Sequence, residues 1–538
     1  MSTDSARSTD PAPARDAIAS GRATLGIELG STRIKAVLLG DDPGVVLASG
    51  GFEWENRFVD RLWTYSLEDV ETGLAAVYAD LAADAERRYG VRPVGFRAVG
   101  VSAMMHGYLA FGVDDELLVP FRTWRNTNTE RAAEALTERF GTNIPLRWSV
   151  AHLYQAVLDE ERHVPQVRFV TTLAGYVHWR LTGRRVLGVG DASGMFPIDT
   201  ATRDYDADLL ARFDELAAGT PLAAPLRDLL PEVLVAGEPA GTLTAEGAAL
   251  LDPTGALQPG ALLCPPEGDA GTGMVATGAV APRTGNVSAG TSIFAMVVLE
   301  RPIEGIHPEI DVVTTPAGDA VAMVHCNNGA SELGAWVSVF GRFAAALGAA
   351  GEGDAVYEVL FREALEGEAD AGGLLAYNTL AGEPLVGLPE GRPLVVRTPD
   401  SRLTLANFMR AQLYGVFGAL SIGMQVLEAE GVGLDRMMAH GGMFRTAGVA
   451  QRFLAAALDA PVAVAELASE GGAWGIAVLA SFAAEPDTDL DSYLRDAVFA
   501  GAALDTVEPD PADVAGFSAY LDRYRSGLAV ERAAVDAL

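Results

Sequence analysis

The clearest pattern in the chain is an apolar run, TLGIEL, a Gly30-Ser31-Thr32 turn, and a second apolar run, RIKAVLL, over residues 24 to 39. Two apolar runs joined by a short turn of this composition predict a β-hairpin. Residues 286 to 299 repeat it, with NVSA leading into Gly290-Thr291-Ser292 and then IFAMVVL. The two turns stand about half the 538-residue chain apart, the signature of an internal duplication.

Between the hairpins the spacing predicts helices near 68 to 89, 129 to 139 and 171 to 182, a strand at 97 to 102, and an acidic amphipathic stretch at 205 to 218. After the second hairpin it predicts helices at 330 to 348, 353 to 366, 404 to 430, 446 to 459 and 471 to 484, a strand near 435 to 439, and a last helix from about 512. Strands alternating with helices define an α/β protein. The boundary falls near 282, at the Pro282 to Gly285 turn. Two similar αβ halves would face a cleft lined by the hairpin turns, where glycine, serine and threonine donors can converge on one anion.

Composition narrows the functions. The chain has 39 Lys plus Arg against 72 Asp plus Glu, a formal charge of −33, and 49% hydrophobic residues. Such acidity repels nucleic acid and anionic membranes, leaving small ligands whose charge is met locally. Two cysteines, Cys264 and Cys326, exclude a disulfide framework and suit a reducing cytoplasm. The first 23 residues lack an apolar core and are expected to be a disordered tail, and no apolar stretch is long enough to span a membrane. Lys35 is the only lysine, every other basic side chain being arginine.

Several segments carry candidate chemistry. Asp269, in Pro265-Pro266-Glu267-Gly268-Asp269, lies where an apolar strand meets a helical stretch, a place for a carboxylate that accepts a hydroxyl proton or for a helix cap. Glu28, flanked by apolar neighbours, faces either solvent or a cation such as magnesium. Met105-His106-Gly107 and Trp124-Arg125-Asn126-Thr127-Asn128 can present polar groups to a polyol, although a lone histidine at a strand end also serves as a structural hydrogen-bonder. Gly188 to Gly194 lacks the spacing of a dinucleotide loop, and P-loop, zinc-protease and serine-hydrolase signatures are absent.

In order from about 24 to 505, these residues resemble the FGGY family of carbohydrate kinases, within the actin, hexokinase and Hsp70 ATPase superfamily. Ile27 to Thr32 with Lys35 is similar to the first phosphate hairpin, Gly290-Thr291-Ser292 to the second, and Gly268-Asp269 to the loop holding the catalytic base. Leu181-Thr182-Gly183 with Asp191-Ala192-Ser193-Gly194 resembles the pair bordering the sugar site. His440-Gly441-Gly442-Met443-Phe444 with Gln451, and Glu470 to Ala473, resemble the adenosine region. Met105, His106 and Trp124 are most similar to the xylulokinase branch, where they lie beside the ketose.

The resemblance implies a two-domain ribonuclease H-like, actin-like ATPase fold with a cleft between domains 24–281 and 282–538. It implies ATP and Mg2+ as cofactors, Asp269 as base, and Glu28 with Asp269 at the metal. It further implies sugar contacts from Met105, His106, Trp124, Arg125, Asn126 and Asp191. ATP contacts fall to Gly30, Ser31, Thr32, Lys35, Gly290, Thr291, Ser292 and Gly441 through Phe444. Small sugar and nucleotide are the expected partners, with no nucleic acid or membrane, in a cytoplasmic enzyme that can form a homodimer. Two departures bear on activity. The family usually has Asp at position 28, and the extra methylene moves the carboxylate by roughly 1 Å, enough to cost about 100-fold if uncompensated. Trp124 to Asn128 also replaces the more usual W-x-D-x-R. The expected activity is phosphorylation of a ketopentose such as D-xylulose, with a ribulose-type or polyol kinase and a catalytically weak sugar- or nucleotide-binding regulator as alternatives.

Overall fold

The computed structural model describes residues 11–349, 351, 353–465, 471–485, 488–501 and 504–538. The chain divides into two compact units: Met1–Val280 with Val312–Ala320 and Leu467–Gly501, and Ala281–Asp311 with Val321–Glu466 and Ala502–Leu538.

In the first unit the predicted hairpin forms from Thr24–Leu29 and Arg33–Leu39. Its second strand pairs antiparallel with Val46–Glu53, and its first pairs parallel with Ala98–Ala103. Ala98–Ala103 then pairs parallel with the short strands Leu262–Leu263 and Glu267–Gly268. Every residue of Ala98–Ala103 is buried, as expected of a parallel strand covered on both faces.

The second unit repeats this order. Its hairpin is Thr284–Ala289 and Ile293–Val298, the latter pairing antiparallel with Ala320–Cys326. Thr284–Ala289 pairs parallel with Arg436–His440, which pairs parallel with Val462–Ala465. The duplication legible in the turns is therefore a duplication of sheet topology. The turns themselves differ: Gly30 N donates to Arg33 O at 3.1 Å, whereas Gly290 N donates to Ser292 O at 2.9 Å.

The helices follow the predicted periodicities closely, including Leu67–Tyr89, Leu405–Ala429, Gly471–Ala484 and Pro511–Ala537. Leu67–Tyr89 starts at Ser66, whose hydroxyl accepts from Asp69 N, and ends at Gly90 in the left-handed region. A helix not among those expected, Ser149–Leu158, is buried over Ser149 to Val157, with polar Ser149, His152 and Gln155 three residues apart.

Two expectations are corrected. Residues 11–19 of the supposed tail form a helix, because Ala14, Ala17 and Ile18 fall on one face and are buried; residues 1–10 lie outside the described residues. Segments 312–320 and 467–501 join the first unit although they follow position 282 in sequence. The reason for the second is visible in Gly471–Ala484, which is buried all round and packs directly on the central strands. Gly26 and Gly100 are register partners there, and a Cβ would lie 2.2 Å from Ala473 O at Gly26 and 2.5 Å from Ile476 O at Gly100.

This close approach predicts that Gly26→Val destabilises the protein by at least about 1–3 kcal/mol, the usual range for overpacking. Gly95, whose Cβ would meet nothing within 4 Å, supplies the control Gly95→Ala. Equal thermal unfolding midpoints for the two variants would contradict the packing described.

Candidate active site

Asp269 opens the helix Asp269–Thr277 immediately after the short strand Glu267–Gly268. The parallel register sets Gly268 beside Ala103, so the chain leaving the neighbouring strand passes the same point. There Met105 N donates to Asp269 Oδ1 at 3.1 Å. Asp269 is reachable from solvent yet set among protein atoms, which push its pKa above the ordinary value; the amides of Met105 and Ala270 and its own N–H hold it back. It is thus a fixed carboxylate whose basicity has been raised.

Glu28 lies opposite Lys35 across the hairpin and opposite Ser102 on the parallel strand. Removal from water, with the negative charge of Asp269 adding to it, raises its pKa to about 7 against the pull of Lys35 and an Ala473 N–H. Its extra methylene fits because residue 472 is glycine: a Cβ there would stand 2.4 Å from Glu28 Oε1. Ser102 Oγ and Thr272 Oγ1, 3.0 Å apart, complete this wall.

The mutual repulsion of Glu28 and Asp269 is of the kind a cation relieves. Among the described residues no group of three or more His, Cys, Asp or Glu is arranged to hold a metal. Two carboxylates nevertheless suit Mg2+, which is commonly held by one or two of them with phosphate and water oxygens completing its shell.

Asp191 is fully buried, accepts from Thr172 Oγ1 at 2.6 Å through Oδ2, and has no protein hydrogen-bond partner at Oδ1. Burial raises its pKa to about 7, with Asp269 adding to the shift. A Cβ at Gly268 would meet Met105 Cγ at 2.9 Å and Asp191 Oδ1 at 3.2 Å, so these residues share one wall. His106, at φ +70°, contacts Gly194 O through Nδ1 at 3.2 Å and stacks toward Trp148 with centroids 6.4 Å apart. The Met105-His106 pair and the Asp191 to Gly194 segment, distant in sequence, are therefore brought together.

Sequence reasoning missed Glu267 as a framework residue. Its buried carboxyl accepts from Gly190 N at 3.3 Å and Asp191 N at 2.9 Å, with a pKa raised well above normal by burial and by Asp191. The Gly188-Val189-Gly190 turn wraps this carboxyl: a Cβ at either glycine would approach its oxygens within 2.4 Å or less. The first hairpin turn is likewise held by donors not singled out from the sequence. Trp54 Nε1 donates to Gly30 O at 2.7 Å and Tyr65 OH to Ser31 O at 2.6 Å, the two rings stacking 4.2 Å apart. Trp124 Nε1 reaches Ser31 Oγ at 3.3 Å, and exposed Arg125 lies over both Trp63 and Trp124.

Asn126 is a correction to the expected sugar contacts. It is 4% exposed, accepts from Trp63 N at 2.9 Å, and donates to Trp63 O at 2.8 Å and Thr123 O at 3.1 Å, so its amide is committed to backbone. Gly472 and Ala473, expected beside adenosine, instead stand against Glu28 in the first unit; Glu470 lies outside the described residues.

In the second unit a cavity of about 460 Å³ is lined by Gly290, Leu333, Tyr357, Phe361, Gly442 and Met443, among others. The Gly290-Thr291-Ser292 turn is wholly or partly exposed beside it. Gly441, at φ +116°, lies directly on the strand, its Cβ position 2.3 Å from Ala289 O. Phe444 is buried at 6% exposure and does not line the cavity, whereas Tyr357 and Phe361, one helical turn apart, do. Gln451 caps Gly448 N and donates to Asp505 O, both at 3.0 Å, a structural role.

The sheet topology, repeated in the two units, and the carboxylates at the strand ends define the class as a duplicated αβ protein, and comparison with known proteins makes this specific. Models of the N-terminal and C-terminal domains of the FGGY family of carbohydrate kinases match residues 23–255 and 285–484. The chain belongs to this family, whose members use ATP with Mg2+. It is 26% identical over 298 residues to a xylulose kinase of Klebsiella pneumoniae, covering 53% of this chain and 56% of that protein. The aligned segment thus spans little more than half of that relative. A xylulose kinase from Rhodospirillum rubrum superposes with a TM-score of 0.74 at 23% identity, over 94% of this chain and 98% of its own. A gluconate kinase from Lactobacillus acidophilus gives 0.75 at 17% identity over the same shares. Both share the fold. No helix among the described residues is long and apolar enough to cross a membrane.

The Asn126 geometry predicts that Asn126→Ala, which leaves the part-buried Trp63 N–H without its acceptor and removes one donor each from Trp63 O and Thr123 O, costs about 1–3 kcal/mol of stability. It leaves the KM for sugar within about threefold of wild type, a change smaller than the tenfold worth 1.4 kcal/mol. Unchanged unfolding with a sharply raised sugar KM would return Asn126 to the substrate.

Proposed function

We propose that this chain is an ATP- and Mg2+-dependent sugar kinase whose acceptor is a ketopentose such as D-xylulose, with Asp269 as general base. The observation that carries the proposal is the Met105 N–H to Asp269 carboxylate bond, which fixes the base beside the Met105-His106 pair. The Klebsiella relative's name supports the choice of sugar class.

Asp269 takes the proton of the attacking hydroxyl; a carboxyl pKa above the ordinary range brings the base closer to working pH. Met105 and His106, with Asp191 behind them, would orient the sugar by its hydroxyls, and Trp124 would border it. Gly30, Ser31 and Thr32 with Lys35, and Gly290, Thr291 and Ser292, are assigned to the ATP phosphates. Gly442 and Met443 are assigned to the nucleoside, with Tyr357 and Phe361 offering ring faces to the base. Glu28 and Asp269 would hold Mg2+, which when bound neutralises developing charge on the transferring phosphate. Most of the acceleration then comes from positioning and charge stabilisation by groups fixed before the reaction.

The fit of Glu28 against Gly472 and Ala473 favours an active enzyme adapted to the longer side chain over a silenced binding protein. Glu28→Asp is accordingly expected to lower kcat, by roughly 10- to 100-fold, because the shortened carboxylate withdraws from the Ala473 amide. A gain in activity would instead mark a silenced enzyme.

The proposal is tested by ADP release over a panel of ketoses, aldoses, polyols and sugar acids. Ketopentoses are expected to give the highest kcat/KM, and Asp269→Asn to lose at least about 100-fold in kcat. Absence of sugar-dependent turnover with every acceptor would defeat the kinase assignment. Equal turnover of wild type and Asp269→Asn would defeat that of the base.

A further inference from the structure

The second unit holds a buried carboxylate that the mechanism does not use. Glu383 has no exposed surface, and its Oε2 accepts from Asn328 N at 3.2 Å and Asn328 Nδ2 at 3.0 Å. Asn328 is bonded on its other side as well, its Oδ1 accepting from Leu380 N and Ala381 N at 2.9 Å each. Asn378 Nδ2 adds bonds to Asn328 O at 3.2 Å and Gly329 O at 2.8 Å. This loop ends on the second hairpin turn: Gly329 N donates to Thr291 O and Ala330 N to Gly290 O, both at 2.8 Å. Gly329 is pressed against the turn so closely that a Cβ would lie 2.4 Å from Gly290 O.

The far end of the chain of contacts is anchored too. Buried Glu531, on the helix Pro511–Ala537, accepts from Thr379 Oγ1 and from Arg392 N, tying down the loop that carries Glu383. The C-terminal helix, the 378–383 loop, the 327–330 loop and the Gly290-Thr291-Ser292 turn therefore form one hydrogen-bonded series. A turn made of glycine and small hydroxyl residues has little stiffness of its own. Its carbonyls are oriented here by the two amides of Gly329 and Ala330; the carbonyls of those two peptide groups accept from Asn378, and the loop is pinned at Asn328 by Glu383.

We propose that Glu383 is a positioning residue for the ATP phosphate chain, acting through Asn328 and the 327–330 loop to hold the second phosphate turn in its binding conformation. The inference rests on the assignment of Gly290, Thr291 and Ser292 to those phosphates. Glu383 touches neither nucleotide nor sugar; its effect is confined to ligands that carry phosphates. A merely structural carboxylate would lower stability without distinguishing ATP from adenosine.

The test is calorimetric titration of the full-length protein with a non-hydrolysable ATP analogue and, separately, with adenosine, both with Mg2+. Glu383→Ala and Asn328→Ala are each expected to weaken analogue binding about tenfold, equivalent to 1.4 kcal/mol, and to leave adenosine binding unchanged. Glu383→Gln keeps an oxygen for both Asn328 donors and is expected to recover most of the affinity that Glu383→Ala loses. Analogue binding by Glu383→Ala as tight as wild type, or an equal loss for adenosine, would overturn the proposal. Should Glu383→Ala fail to fold, Asn328→Ala decides by the same two criteria. Thr291→Glu separates the underlying assignment, since a negative charge in a phosphate turn should abolish analogue binding. If Thr291→Glu binds the analogue normally, the turn's assignment fails. If Thr291→Glu loses the analogue while Glu383→Ala and Asn328→Ala keep it, only the role of Glu383 fails.

Discussion

The chemistry assigned to the first unit depends on one contact, the hydrogen bond from Met105 N to the Asp269 carboxylate. It exists because two parallel strands end side by side and their departing chains converge, one supplying an amide and the other a carboxylate. The surrounding protein atoms push the carboxylate's pKa up, and the amide donors oppose them. With the amides of Met105, Ala270 and Asp269 itself, it stays a base while its pKa remains above the normal range. The same contact sets where His106 begins, and His106 leans on Gly194, so the geometry of the base and of the surrounding wall is specified together.

The duplication has been preserved as topology and altered in detail. Both hairpins place their first strand beside a parallel partner and their turn at the strand ends. The first turn is steadied by aromatic donors, Trp54 and Tyr65 on main-chain oxygens and Trp124 on a hydroxyl. The second is steadied by main-chain amides of Gly329 and Ala330. Under the proposed phosphate assignment the two solutions would meet the same requirement, since a turn that accepts an anion must keep its carbonyls pointed away from it.

Much of this was legible in the sequence. Hairpins and helices were readable because their periods lie within a dozen or so residues, and the Asp269 position because glycine precedes it at a strand end. What escaped involves distant partners. Glu267 has amide donors 76 and 77 residues away, and nothing near it signals them. Asn126 binds the backbone of Trp63, 63 residues back, so its local resemblance to a sugar-facing segment misled. The membership of Gly471–Ala484 in the first unit was hidden for the same reason, although its lack of any polar face signalled a helix enclosed on all sides. Tyr357 and Phe361 stand four residues apart in the sequence, and only the fold brings them beside Gly290 and Met443.

The account makes Asp269 a base whose basicity is set by its surroundings, and the pH dependence of kcat/KM for the preferred sugar tests this most directly. A base works when deprotonated, and its raised pKa means that activity is lost on acidification at a higher pH than for an ordinary aspartate, whose pKa is about 3.9. The predicted result is an acid limb clearly above that value in the wild type, with a different midpoint in the residual activity of Asp269→Asn, where Glu28 and Asp191 remain to titrate. An acid limb of the same midpoint in both proteins would contradict the account.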